Sequence, residues 1–185
     1  MKTVKRNVFR ALLPLMALPL LVACPFPWQM ENDDSEKEAN LALLFLPVPL
    51  AINGAWEDQF TIKYDIQASK SIAGGTTGYW KDDYTDAAVV EFSNADREVY
   101  TRTGKPSWCT GQGTGMNQCL CYNAGVCYNR TVWTFYNGRF YYCQITSNRP
   151  TLEEAKTATP SPYNATNPAA NNSCNIFTWS RLDPR

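Results

Sequence analysis

Asn137-Gly138 stands between two runs, TVWTFY at 131–136 and RFYYCQIT at 139–146, that are dense in β-branched and aromatic residues. Both central positions of a type I′ turn need positive φ, and Asn-Gly accepts that most readily. A two-residue turn also fixes the strand register. Tyr136 is therefore expected opposite Arg139, Phe135 opposite Phe140, Trp133 opposite Tyr142 and Val132 opposite Cys143. One face of this hairpin carries Trp133, Phe135, Phe140 and Tyr142, and the other carries Val132, Tyr136, Tyr141, Cys143 and Ile145. Two apolar faces call for cover on both sides. The alternative turns the aromatics Trp133, Phe135, Phe140 and Tyr142 toward a ligand or partner.

The same reading extends upstream. FTIKYDI at 60–66 alternates Phe60, Ile62, Tyr64 and Ile66 on one face, the period of a half-buried strand. TTGYW at 76–80 follows the Gly74-Gly75 break, and AAVVEF (87–92) and REVYTR (97–102) flank the turn residues 93–96. LALLFLPVPLAI at 41–52 is expected to be a first core segment, with a membrane or partner patch as the other reading. Thr151-Leu152-Glu153-Glu154 has capping-box spacing and predicts a helical turn or two over 151–158. Residues 159–173 hold too much Pro and Asn for regular structure, and CNIFTWSRL at 174–182 reads as a final strand. The expected fold is all-β: an antiparallel meander of about eight strands closing as a calycin-like barrel, with one short helix before the last strand. An open β-sandwich is the alternative.

Cysteines constrain the chain next. Cys109, Cys119, Cys121, Cys127, Cys143 and Cys174 follow residue 100, and an even count in an exported chain reads as disulfides. Cys143–Cys174 would staple the long excursion between hairpin and final strand, worth roughly 3 kcal/mol by chain entropy. The other four pair as 109–119 with 121–127 or as 109–121 with 119–127. A metal site built on CLC at 119–121 is the lesser alternative, because no histidine accompanies it.

Export is read from the N-terminus. Lys2, Lys5, Arg6 and Arg10 precede a 13-residue apolar run at 11–23, too short to span a bilayer. Leu21-Val22-Ala23-Cys24 matches the bacterial lipobox, which predicts cleavage before Cys24 and lipid on its sulfur. The expected organisation is a signal peptide at 1–23, a lipidated tether with an apolar segment at 24–50, and a disulfide-stabilised β domain at 51–185. Removal of the signal leaves 13 Lys+Arg against 17 Asp+Glu, without the basic stripe that a nucleic-acid binder needs. The chain has no histidine, which removes Ser-His-Asp and Cys-His nucleophile systems and imidazole acid–base chemistry. Asp82, Asp83 and Asp86, like Glu57 and Asp58, read as solvated turn residues rather than catalytic pairs. Gly111, Gly113 and Gly115 lack the strand-then-helix context of a phosphate loop. No catalytic residue, cofactor or metal is expected.

The C-terminal half resembles a family of lipoproteins of leptospiral spirochaetes. The residues that carry the likeness are Val132-Trp133-Thr134, Tyr141-Tyr142-Cys143, Thr151-Leu152-Glu153-Glu154-Ala155, Asn167-Pro168, Cys174 and Phe177-Thr178-Trp179. Gly54-Ala55-Trp56-Glu57-Asp58-Gln59-Phe60 is similar to that family's Gly-x-Trp-x-Asp-x-Phe opening. The resemblance implies an envelope location rather than an activity; the expected place is the outer membrane, lipid-anchored on its periplasmic face or at the cell surface. The cysteine-dense segment 109–127 departs from it. A looser architectural likeness, Gly-x-Trp on a first strand before a meander, is to small calycin barrels such as avidin and the lipocalins. The expected function is non-enzymatic binding at the cell envelope, by contact with a host or envelope macromolecule. The alternative is a carrier with a small apolar ligand inside the barrel.

Overall fold

The structure, a computed structural model, describes residues 46–107, 109 and 120–185. Among the described residues there are nine strands and one helix: β1 (Val48–Pro49), β2 (Gly54–Glu57), β3 (Lys63–Lys70), β4 (Thr76–Asp82), β5 (Asp86–Ser93), β6 (Glu98–Gly104), β7 (Val126–Tyr136), β8 (Arg139–Arg149), α1 (Leu152–Thr157) and β9 (Ser180–Pro184). Every pairing is antiparallel, and from β2 to β9 each strand pairs with the next. β9 then pairs back onto β2, Glu57 opposite Asp183, so eight strands form a closed barrel with no free edge. That closure excludes the open sandwich.

The Asn137-Gly138 turn has positive φ at both residues, 49° and 79°, and all four expected hairpin pairs are present. Both hairpin faces are packed. Trp133, Phe140 and Tyr142 point into the barrel, whereas Val132, Tyr141, Cys143 and Ile145 lie under an outer layer that includes Trp179. The excursion 159–179 supplies that layer. The Trp179 indole N–H donates to the Ser173 carbonyl at 2.7 Å, and the Cys143–Cys174 disulfide ties the layer to β8. Thr151 caps α1 by accepting from the Glu154 N–H at 3.1 Å. Lys156 reaches Glu91 at 2.7 Å, fastening the helix to the barrel's outside.

A β-bulge between Val89 and Glu91 decides how AAVVEF sits. Strict alternation would place Glu91 inside with Val89. One extra residue turns Glu91 outward to Lys156 and lets Val89 and Phe92 both face the core. Gly78 solves a different problem: it lies opposite Ala68, and a Cβ there would stand 2.2 Å from the Gln67 carbonyl oxygen. Only glycine lets β3 and β4 approach this closely.

Three expectations need correction. The strand expected from Phe60 begins at Lys63, because Thr61 has φ 67° and turns the chain, leaving Phe60 exposed. The final strand starts at Ser180 rather than Cys174. Residues Cys174–Phe177 instead close a tight turn through reciprocal backbone hydrogen bonds of 2.9 Å. Barrel pairing also begins at Val48, ahead of the expected domain start at 51. Of the apolar segment 41–52, Leu50 and Ile52 are core, Leu46 and Val48 are exposed, and 41–45 lie outside the described residues.

Candidate functional site

The two ends of the barrel differ in chemistry. At one end lie the Asn137-Gly138 turn and the short connections 71–75 and 94–97. Here β1 and β2 line the same side of β3, and the chain between them crosses the base. The Ala51 N–H donates to the Asn94 side chain at 2.9 Å, and the Asn94 amide donates to the Pro49 carbonyl at 2.9 Å. Leu50 and Ile52 are thereby driven into the interior beside Ile66, Phe92, Val99, Trp133 and Leu182. This end is closed and filled by side chains.

The opposite end carries the longer connections, 58–62, 83–85, 105–125 and 150–179. Along several strands the inward positions turn from apolar to polar in this direction. Val99 gives way to Thr101 and Thr103 on β6, Trp133 to Thr131 and Asn129 on β7, and Tyr142 to Gln144 on β8. These residues, with Trp80, Asp82, Thr85 and Ala87, line a cavity of about 100 Å³. It shares Thr85, Thr103, Asn129 and Gln144 with a wider recess of about 480 Å³ bounded by Tyr84, Asp86, Pro106, Ser107 and Asn148. Together they make a funnel with an aromatic floor, where Trp80 and Tyr142 meet edge to face at 5.2 Å. A recess of this kind, apolar below with a few convergent polar groups, has the form of a small-molecule site.

Below the floor the Tyr142 hydroxyl donates to Tyr64 at 2.8 Å, and Tyr64 donates to the Asp58 carboxylate at 3.0 Å. The other Asp58 oxygen accepts the N–H groups of Phe60 and Ile62. Asp58 is 5 % exposed, so its expected place in a solvated turn is wrong: it is a buried acceptor that fixes the β2–β3 turn. Burial, then Tyr142 and Asp58, raises the Tyr64 pKa far above its ordinary value, and burial likewise raises that of Tyr142. Both phenols stay protonated at neutral pH and act as hydrogen-bonding walls, not proton shuttles. Asp82 does sit in a turn, accepting from Tyr84 and Thr85 N–H groups, while Asp83 accepts from Lys63 N–H and Asp86 pairs with Lys81 at 3.0 Å.

The four hairpin aromatics do not form one site. Trp133 and Phe140 fill the closed end, Phe135 is exposed beside the hairpin turn, and Tyr142 alone reaches the funnel. The polar lining escaped the sequence reading, although Thr101-x-Thr103 and Asn129-x-Thr131 repeat at the period of an inward face. The Cys121–Cys127 disulfide excludes the alternative that joins Cys109 to Cys121. Cys109 is also disulfide-bonded and buried with this pair, next to Tyr122, whose ring lies 4.3 Å from the Lys105 ammonium. Cys119 and the three glycines 111, 113 and 115 lie outside the described residues, as does Cys24. Among the described residues no three metal-ligating side chains cluster. Comparison with protein families, characterised proteins and solved structures returned no match.

Proposed function

We propose that this protein is an exported bacterial lipoprotein, anchored through lipid on Cys24, whose barrel binds a partner at its open polar end. The leader and lipobox support export and lipid attachment, and the likeness to leptospiral lipoproteins supports an envelope setting. One observation carries the binding reading, the asymmetry of the barrel. A barrel needed only as a stable scaffold has no use for a polar funnel in its interior, where unpaired polar groups are costly. Val48 pairs with Lys70 at the closed end of the barrel, and the funnel opens at the opposite end. An apolar ligand inside the barrel, the alternative reading, would have to displace Leu50, Ile66, Phe92 and Trp133.

Two experiments test this. Labelled palmitate should enter the native protein and not a Cys24→Ala variant, and that variant should leave the detergent phase; equal partitioning defeats the anchor. Small-molecule screening by NMR should perturb the resonances of Thr101, Asn129 and Gln144. Hits confined to the outer surface defeat the funnel as the site.

A further inference from the structure

Resting on the reading of the funnel as the binding site, we infer that its ligand is a neutral, hydroxyl-rich ring, a saccharide unit, seated over Trp80 and Tyr142. The first support is the state of the lining. Thr101 and Thr131 are 6 % exposed and Asn129 is 9 % exposed, yet the two hydroxyls make no hydrogen bond to the described residues. Thr85 and Thr103 hydroxyls are equally uncommitted. Asn129 spends its carbonyl oxygen on Gln144 Nε2 at 3.2 Å and Asn148 N–H at 3.0 Å, which leaves its own amide N–H groups for another acceptor. Gln144 is oriented by that bond and keeps its carbonyl oxygen available.

Hydroxyls donate and accept, and the two amides offer one unused donor group and one unused acceptor. That is the complement of a ligand whose own groups do both, as sugar hydroxyls do. Charge narrows the class further. Among the described residues no Lys or Arg lines either part of the funnel, whereas Asp82 and Asp86 do, so a carboxylate or phosphate would meet like charge and no counter-ion there. An organic cation fits less well, because the Asp82 oxygen Oδ1 already accepts two backbone N–H groups and Asp86 is paired with Lys81. The aromatic floor suits the C–H face of a pyranose ring, with the hydroxyls at the ring edge reaching the threonines.

The test uses the folded mature protein and saturation-transfer NMR. Glucose, galactose and N-acetylglucosamine are offered free and as bead-bound polysaccharides, with phosphate, acetate and choline as charged controls. At least one neutral sugar should bind, and Thr101→Val with Thr131→Val should weaken it about tenfold, as expected for two lost hydrogen bonds. The same pair of changes is nearly isosteric and should leave the melting temperature unchanged or higher, a combination that a structural role for the hydroxyls would not produce. Binding to free sugar alone identifies a soluble ligand, and retention only on beads identifies a polymer; either supports the inference. Choline or phosphate binding in the funnel overturns the saccharide class and keeps the funnel as a site. Silence of the funnel toward every probe and a general fragment library overturns both.

Discussion

Replacing both Cys143 and Cys174 by alanine separates covalent from packing contributions to the barrel's outer layer. The bond spans 31 residues, from β8 across α1 to the turn before β9. Freeing a loop of that length in the unfolded chain lowers stability by about 3.7 kcal/mol in the chain-entropy account. With an unfolding entropy of about 2.1 cal/mol/K per residue over roughly 140 residues, the melting temperature should fall by about 13 °C. Cys121–Cys127 spans 6 residues, and the same arithmetic gives about 2.2 kcal/mol and about 7 °C for its removal. Differential scanning calorimetry on the two double variants reads both shifts. Cys143 packs with Val132, Tyr141, Ile145 and Trp179, and Cys121 and Cys127 are buried with Cys109, so any cavity left by alanine adds to both numbers. The reasoning is refuted if the short loop's removal costs as much as the long one's, or if the long one's costs less than about 1 kcal/mol. The first result would mean that loop length does not set the cost, and the second that Trp179 and its neighbours hold the excursion without the bond.

Three further outcomes are expected. Gly78→Ala should destabilise the barrel by more than about 2 kcal/mol in urea titration, since its Cβ meets backbone 2.2 Å away and the strands must part. Thr151→Ala should cost about 1 kcal/mol by the same assay, with Thr151→Ser largely restoring it, because only a side-chain oxygen at that position satisfies the Glu154 N–H. Stability should also fall as pH rises above about 10: the raised pKa values of Tyr64, Tyr100 and Tyr142 mean that the unfolded chain releases those protons first. Ultraviolet titration should accordingly show these three phenols ionising only with unfolding, and ionisation in the native state would contradict their burial.

Local chemistry in the chain carries much of the architecture. Asn137-Gly138 determines the register of β7 and β8 from the turn as far as Thr131 opposite Gln144, beyond which irregularities around Arg130 shift the pairing. The spacing of Thr151 and Glu154 determines where α1 starts, and the all-β class follows from period-two patterning. Each of these depends on residues within a few positions of one another. Tertiary structure alone decided the bulge that turns Glu91 outward, the burial of Asp58 beneath Tyr64 and the choice of Cys127 as the partner of Cys121. It also decided that one inward face is apolar at its base and polar at its mouth. The threonines, Asn129 and Gln144 come from three strands, with Trp80 and Thr85 from the β4 side, and only the closing of β9 onto β2 brings them around one space. Whether a polar residue on a strand faces water or a cavity depends on what curves around to meet it, and that is a property of the whole barrel rather than of any segment.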